Sequence, residues 1–320
     1  MKAWQLNSDG SFTRNEVQEP VPGPHEFLLE VKAAGLCHSD VGLIDGTIGG
    51  PAGPPRTPIT LGHEIAGTVV ALGPDPLSGI AIGDRVALQA TGFDDSPGGS
   101  RDGGYAPLVI GRTAEASYVP IPEGLGFEHA AVATDAGTTS YNAVMNVGRV
   151  GAGKRVGIVG LGGLGAIGAR IAVLAGAEVY AAEPRDAVRE SAPSRLGVKA
   201  AVNDVRDLAG LGLEIIIDFA GFGSTTAGAI DVINVGGGVV QVGIGRAEAT
   251  ISTTALVAKM VTLVGSLGGT RTETEAVLGL IASGDLSVEL DEIDFESIGD
   301  GIDRLRRGDA LGRLVARINQ

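Results

Sequence analysis

Residues 155–165 read RVGIVGLGGLG, a buried-strand pattern that runs directly into a glycine-rich turn, and an apolar helical pattern then extends to Leu174. In such a unit the first glycine permits a tight turn, the second lets a pyrophosphate approach the backbone, and the third lets the helix pack against the strand. The stretch therefore predicts a dinucleotide-binding turn. Its residues are Gly160, Gly162, Gly163, Leu164 and Gly165.

A carboxylate follows at the spacing that this motif requires. The strand pattern at residues 178–182 ends at Glu183, 18 residues after Gly165. A carboxylate there accepts hydrogen bonds from the ribose of NAD and repels the 2′-phosphate of NADP. In a chain with 52 glycines the turn alone is weak evidence, but strand, turn, helix and acid together favour NAD binding over a structural turn. Arg185 leaves open a phosphate contact, or a solvated arginine at the start of the next helix.

The alternation of strand, glycine turn and apolar helix continues beyond this unit. We predict strands at residues 155–160, 178–183, 200–203, 214–220, 238–244 and 261–267. Six such strands with intervening helices predict a doubly wound parallel sheet, the α/β Rossmann architecture. Residues 1–130 instead carry short strand patterns broken by Pro and Gly, such as 27–31 and 65–72, and predict a mostly β domain. Two helices are predicted near the end, at 273–283 and 298–307.

Composition disfavours several classes of partner. The 320 residues carry a formal net charge of −14 and no basic stripe, which disfavours nucleic acid and anionic membranes. The longest uncharged runs have 14 residues, too few to span a bilayer. Cys37 is the single cysteine, which excludes an internal disulfide, and the first residues carry no apolar signal core. We therefore expect a cytoplasmic protein.

Two short motifs in the first domain indicate a metal. Residues 35–40 read GLCHSD, and residues 62–67 read GHEIAG, with His63 placed 26 residues after Cys37. A catalytic zinc takes three N, S or O ligands and keeps one position open, and Cys37 and His63 can supply two of these ligands. Taken singly, a cysteine such as Cys37 is more often a small buried apolar residue, and a histidine such as His63 is more often a core residue with satisfied hydrogen bonds.

These motifs are followed in order by GDRV at 83–86, GGYA at 103–106 and the glycine-rich turn. In this order they resemble the zinc-dependent alcohol dehydrogenases of the medium-chain dehydrogenase/reductase superfamily, over almost the whole chain. The resemblance implies a GroES-like catalytic domain at 1–130 and 269–320 and a Rossmann domain at 131–268. It also implies hydride transfer between an alcohol and NAD, and a homo-oligomer formed through the strand at 261–267.

The resemblance implies a metal site with three protein ligands. In the family, the residues at the positions of Cys37 and His63 bind the catalytic zinc together with a third residue. That third residue corresponds here to Asp135, in the segment 134–141, at the start of the long helix that leads to the cofactor domain. Carboxylate oxygen is an acceptable zinc ligand. The alternative for Asp135 is a cap on the helix that follows.

The resemblance also implies roles around the metal and the cofactor. Ser39 is expected to bond the substrate oxygen and accept its proton. The Asp40 and Glu64 carboxylates are expected to orient the metal ligands or to join the coordination sphere briefly. The remaining implied contacts are with the cofactor, and they come from His38, Thr139, Arg271 and Arg313.

The chain departs from the family in two places. Residues 91–102 lack the four cysteines that hold a second, structural zinc in many relatives, so no such site can form from thiolates. Gly42 stands where relatives often have a histidine that passes the proton to solvent, so the proton is expected to leave through water or the cofactor ribose. The Gly/Pro-rich stretch 46–58 suits small or medium apolar alcohols.

Two rival functions remain open from the residues alone. One is a zinc-free quinone or enoyl reductase on the same fold, which would need neither Cys37 nor His63. The other is a non-enzymatic NAD-binding protein, which would be expected to tolerate the loss of these ligands, since fold alone does not establish function. The joint presence of both residues argues against each rival.

Overall fold

The computed structural model describes residues 1–48, 55–90, 92–310 and 312–319. The chain forms two compact units, the first made of Met1–Asp135 and Thr270–Gln320 and the second of Ala136–Gly269. Among the described helices, none has the length and hydropathy that a membrane span requires.

The strands of the described residues are numbered along the chain. They are β1 (Lys2–Leu6), β2 (Phe12–Glu16), β3 (Glu26–Gly35), β4 (Ile59–Thr60), β5 (Glu64–Leu72), β6 (Arg85–Leu88), β7 (Leu108–Arg112), β8 (Tyr118–Pro120), β9 (Arg155–Val159), β10 (Glu178–Ala182), β11 (Ala200–Val202), β12 (Ile215–Asp218), β13 (Gly238–Gln241), β14 (Thr262–Gly265), β15 (Leu290–Asp294) and β16 (Arg313–Arg317).

The helices are numbered in the same way. They are α1 (His38–Ile44), α2 (Phe127–Val132), α3 (Thr138–Tyr141), α4 (Gly165–Leu174), α5 (Asp186–Leu196), α6 (Ser224–Val232), α7 (Thr253–Ala258), α8 (Arg271–Ala282) and α9 (Ile298–Arg307). The two helices predicted near the end of the chain are α8 and α9. A capping box between Thr270 and Glu273 fixes the start of α8.

The second unit contains one parallel sheet of six strands in the order β11-β10-β9-β12-β13-β14. This order, with the first strand of the unit in the middle, is the doubly wound arrangement of dinucleotide-binding domains. All six predicted strands are present, with shorter carboxyl ends than predicted, because several of them run into glycine turns. Gly160, for example, follows the last residue of β9 and has a φ of +82°, which ends the extended backbone there. The predicted fold class is confirmed.

The first unit is mostly β and contains a three-stranded sheet and a seven-stranded sheet. The central strand of the larger sheet is β3, whose alternate residues Phe27, Leu29, Val31 and Ala33 are fully buried. It pairs antiparallel with β5, and Gly35 lies opposite Glu64 in the register. Because β3 ends at Gly35, the first residue of the first motif, and β5 begins just after His63, this pairing brings the two motifs together.

One helical segment runs from α2 through α3, with π-helical turns at Ala133–Gly137 and Asn142–Val147. The prediction that residues 134–141 start this helix is wrong. The segment begins at Phe127, after Gly126, which has an extended backbone. Asp135 therefore lies inside the helical segment and not at its N-cap. Helix α2 packs against β3 and β5, the strands next to both motifs.

Candidate active site

Three side chains in the first unit present different metal-binding atoms to a common point. The ligand atoms of Cys37, His63 and Asp135 all lie within 4.8 Å of one another. Cys37 Sγ is 3.6 Å from Asp135 Oδ2, and His63 Nε2 is 3.3 Å from the same oxygen. Tetrahedral zinc bonds of about 2.0–2.3 Å hold their ligand atoms roughly 3.3–3.8 Å apart. In donor type and in these two distances, the three residues fit a zinc ion.

Local structure explains how each donor reaches this point. Cys37 occupies the extended N-cap position of α1, where its backbone N–H donates to Asp40 Oδ2 at 3.0 Å. His63 follows Gly62, whose φ of +91° turns the chain into β5. Asp135 lies in a π-helical turn, a local irregularity that often occurs at functional sites.

The Asp40 carboxylate connects the two motifs. It is fully buried, accepts a hydrogen bond from the Tyr105 hydroxyl at 2.7 Å, and places Oδ1 at 3.2 Å from His63 Nδ1. Donation from His63 Nδ1 to this oxygen leaves Nε2 as the metal-binding nitrogen. Burial would lower the pKa of His63, but the charge of Asp40 and the hydrogen bonds to Asp135 and Asp40 raise it well above its usual range. A metal ion bound at this nitrogen would therefore compete with a proton for Nε2.

A second buried carboxylate lies next to His63 in the sequence. Glu64 is fully buried, and Arg313 is only 4% exposed. Arg313 Nη2 lies 2.5 Å from Glu64 Oε1. Burial raises the pKa of Glu64, and the Arg313 charge opposes this rise. Burial would lower the pKa of Arg313, but the Glu64 charge raises it. The predicted contact of Arg313 with the cofactor pyrophosphate stays a prediction.

Helix α1 carries the remaining residues of the first motif. Ser39 is half-buried, with Oγ at 3.6 Å from Cys37 Sγ, whereas His38 is exposed. The side chain of Ile48 packs against Gly42, since a Cβ at that glycine would lie 2.5 Å from Ile48 Cδ1. Ile48 therefore fills the space that a relay histidine at position 42 would need.

The glycine-rich turn of the second unit has the geometry expected of a phosphate site. A Cβ at Gly165 would lie 1.7 Å from the carbonyl oxygen of Gly160, so only glycine fits there. A Cβ at Gly162 would meet no atom of the described residues within 4 Å, which leaves room for a phosphate. Leu164 is the N-cap of α4, and its carbonyl accepts a hydrogen bond from Ser140 Oγ at 2.9 Å.

Glu183 and Arg185 form an ion pair. From the sequence, Glu183 indicates NAD, whereas Arg185 leaves open a phosphate contact. Glu183 is 2% exposed. Its Oε1 accepts from Arg185 Nε at 2.8 Å, and its Oε2 accepts from Arg185 Nη2 at 3.1 Å and from the Leu161 N–H at 2.8 Å. Burial would raise the pKa of Glu183, but these hydrogen bonds lower it. A carboxylate therefore persists beside the turn at neutral pH, partly screened by a guanidinium.

The other predicted cofactor residues lie in both units. Thr139 is buried in α3, in the same unit as the glycine-rich turn. Arg271, at the start of α8, makes contacts at 2.6 Å with the Glu275 carboxylate and with the carbonyl of Glu115. The roles of Thr139 and Arg271 in cofactor binding stay predictions.

The segment that holds a structural zinc in many relatives is organised by side chains other than thiolates. Arg101 Nε donates to Asp95 Oδ1 at 2.6 Å, and Asp102 Oδ1 accepts from the Thr60 N–H at 2.7 Å. Arginine and carboxylates thus hold residues 92–102 against the small sheet of the first unit.

Both halves of the chain match known domain families. Residues 23–123 match the alcohol dehydrogenase GroES-like domain, and residues 163–283 match the zinc-binding dehydrogenase domain. The chain is 31% identical to an alcohol dehydrogenase of Geobacillus stearothermophilus over 329 aligned positions, which cover 95% of each chain. The chain belongs to the zinc-dependent alcohol dehydrogenase family. The prediction from the sequence motifs is thereby confirmed.

Two further relatives bear on the chemistry of this alcohol dehydrogenase. NADP-dependent alcohol dehydrogenase C of Mycobacterium bovis is 29% identical, over 98% of this chain and 97% of that one. The structure of acetophenone reductase from Geotrichum candidum in complex with NAD superposes with a TM-score of 0.90 at 27% identity, covering 99% of this chain and 96% of that one. This alcohol dehydrogenase is thus an oxidoreductase that acts on alcohols and uses zinc and a nicotinamide cofactor.

Proposed function

We propose that Cys37, His63 and Asp135 bind a single catalytic zinc in this alcohol dehydrogenase, and that its cofactor is NAD. The observation that carries the zinc proposal is the set of sulfur, nitrogen and oxygen atoms at 3.3 and 3.6 Å spacing. Small or medium apolar alcohols are the proposed substrates. This last point rests on the composition of residues 46–58, of which 49–54 lie outside the described residues.

Each residue of the site has a proposed part in the reaction. Zinc bound at this site supplies a Lewis acid that lowers the pKa of the substrate hydroxyl, while the nicotinamide ring supplies the hydride acceptor. Ser39 Oγ accepts the proton of the alcohol. Asp40 holds the His63 ring by its Nδ1, and Glu64 provides buried negative charge beside it. With Ile48 packed against Gly42, the proton would leave Ser39 through water or, when the cofactor is bound, through its ribose.

We expect elemental analysis to give about one zinc per chain. One S/N/O donor set is present among the described residues, and thiolates for a second site are absent because Cys37 is the only cysteine. The measurement uses protein freed of loosely bound metal by gel filtration, and the activity is followed in parallel. A reproducible value near two, or full activity in metal-free protein, would contradict the proposal.

The preference for NAD over NADP rests on Glu183. Its carboxylate lies at the carboxyl end of β10, with a hydrogen bond from the turn at Leu161, where an NAD-specific acid is expected. Arg185 neutralises part of this charge, and several relatives are NADP-dependent by name. The preference is therefore a balance between the repulsion from Glu183 and the attraction of Arg185.

Glu183→Ala is expected to shift the ratio of kcat/KM for NAD over that for NADP by roughly tenfold or more towards NADP. A hydrogen bond to a charged group contributes about 1.5–3 kcal/mol, and about 1.4 kcal/mol corresponds to tenfold. Glu183→Gln, which keeps the size but removes the charge, isolates the repulsion. Glu178→Ala, at the exposed start of the same strand, is the control. A wild-type preference for NADP would mean that Arg185 governs the site.

We also propose a homo-oligomer that forms through β14. This strand lies at the edge of the six-stranded sheet, and apolar side chains are exposed on and beside it. They are Val257 (75%), Met260 (68%), Leu263 (39%), Val264 (37%) and Leu267 (67%). An edge strand with exposed apolar side chains favours pairing with a second copy of itself.

Leu263→Asp combined with Leu267→Asp is expected to convert the oligomer into monomers, because it places two charges in the apolar edge. Light scattering coupled to gel filtration measures the mass. Val21→Asp, at an apolar residue of the first unit that is 82% exposed, is the matched control and should leave the mass unchanged. A monomeric wild-type protein would rule out the proposed interface.

A further inference from the structure

We propose that Tyr105 is a positioning residue for the zinc ligand His63 and acts through the Asp40 carboxylate. The inference rests on the zinc site proposed above. Tyr105 belongs to the motif GGYA at 103–106, and the sequence alone assigns it no function.

The first observation is a buried hydrogen bond. Tyr105 is fully buried, and its hydroxyl lies 2.7 Å from Asp40 Oδ2 and 3.1 Å from the carbonyl oxygen of Gly35. The single phenolic proton is drawn to the nearer and charged acceptor, and such charge-assisted hydrogen bonds are the stronger kind. Burial and the nearby Asp40 charge raise the pKa of Tyr105 well above its usual range. The phenol therefore remains a donor across the working pH range.

The second observation is that the same residue also fixes the backbone before His63. A Cβ at Gly62 would lie 2.5 Å from Tyr105 Cδ1, so the ring lies directly on that glycine. The N–H of Tyr105 donates to the Leu61 carbonyl at 3.0 Å, and the N–H of Gly104 donates to the Gly62 carbonyl at 2.8 Å. Tyr105 thus restrains His63 in two ways. It holds the backbone that precedes His63, and its hydroxyl donates to the Asp40 carboxylate, which in turn contacts the His63 ring.

The geometry of Asp40 explains how the hydroxyl affects the metal. Oδ2 accepts from Tyr105 and from the Cys37 N–H, whereas Oδ1 faces His63 Nδ1. The contacts on Oδ2 therefore set the plane of the carboxylate, and with it the direction of the hydrogen bond that orients the imidazole. Partners of this kind, one step removed from the metal, typically change metal affinity or activity 10–100-fold when they are removed.

Tyr105→Phe separates this role from packing, because it keeps the ring against Gly62 and removes only the hydroxyl. A matched control is Tyr118→Phe in the same unit. Tyr118 is 7% exposed, and its hydroxyl lies 2.7 Å from Ser78 Oγ, outside the metal site. Both variants lose one hydroxyl hydrogen bond, which is buried at Tyr105 and part-buried at Tyr118, but only the first loses a contact with Asp40.

The experiment measures the zinc dissociation constant by competition with a chelator, and the visible absorption bands of the cobalt-substituted protein. Tyr105→Phe is expected to weaken zinc binding by about tenfold or more and to shift the cobalt bands. Tyr118→Phe should leave both unchanged. In an Asp40→Asn background, Tyr105→Phe should have little further effect on zinc affinity, because the pathway through Asp40 is already lost.

A Tyr105→Phe protein with the wild-type zinc affinity and cobalt spectrum would overturn the inference and leave the zinc site standing. Additive effects of the two substitutions on zinc affinity would also overturn it. Absence of zinc binding in the wild-type protein would instead overturn the proposed site. If Tyr105→Phe does not fold, 3,5-difluorotyrosine at position 105 keeps the ring and strengthens the donor. The zinc affinity must then change, and an unchanged value counts against the inference.

Discussion

Asp135→Ala is expected to reduce the zinc content from about one per chain to a small fraction and to lower kcat/KM about a thousandfold. Asp135 supplies one of three donor atoms. A Lewis acid contributes several kcal/mol of transition-state stabilisation, and each 1.4 kcal/mol or so is tenfold in rate. The dissociation constant of NADH should change little, because the glycine-rich turn belongs to the other unit of the chain. Elemental analysis, steady-state kinetics and NADH fluorescence measure the three quantities.

Asp135→Cys tests the same ligand from the opposite direction. Thiolate is a good zinc ligand, so this variant should retain metal and part of the activity. Glu128→Ala is the matched control. Glu128 lies in the same helical segment and contacts Arg317 at 3.2 Å, so its loss should leave the zinc content unchanged. If Asp135→Ala kept its full zinc content and lost only a little stability, Glu64 would become the expected third ligand.

The fold could be predicted largely because its signals are local. The glycine-rich turn, its flanking strand and the apolar helix occupy one continuous stretch, and all six strands of the parallel sheet follow from similar short patterns. The helical segment around Asp135 shows where local signals fail. Its true start has Gly126 as the N-cap, without a side-chain cap, whereas Thr134 and Asp135 are typical capping residues. No sequence pattern at residues 133–137 predicts the π-helical turn.

The candidate site could be predicted only in part from the sequence, for a different reason. Cys37 and His63 stand in recognisable motifs, but the groups that hold them are distant in sequence. Tyr105 is 65 residues from Asp40 and Arg313 is 249 residues from Glu64. Glu183 and Arg185 are only two residues apart, yet their pairing depends on side-chain direction after the strand ends. Contacts of both kinds are set by tertiary packing and need the three-dimensional structure.

Arg313→Ala is expected to lower the free energy of unfolding by about 3–5 kcal/mol, because it removes the guanidinium that is ion-paired with the fully buried Glu64 carboxylate. Urea denaturation at neutral pH measures the change. Arg317→Ala, in the same strand, removes an arginine that is 44% exposed and contacts Glu128 and Glu292. Its cost should stay below about 1 kcal/mol. The predicted pyrophosphate contact of Arg313 is tested on the same protein, as a rise in the dissociation constant of NADH that Arg317→Ala does not cause.

The cause of the Arg313 effect can be checked in two ways. Arg313→Met together with Glu64→Gln should recover much of the lost stability, since neither remaining side chain carries a charge. Burial already raises the pKa of Glu64, and loss of Arg313 removes the charge that opposes this rise. A carboxyl with a raised pKa in the folded state binds its proton more tightly there than in the unfolded chain, so the stability of Arg313→Ala should fall as pH increases. A deficit independent of pH, with no recovery in the double variant, would mean that Arg313 stabilises the fold by packing and not by pairing with Glu64.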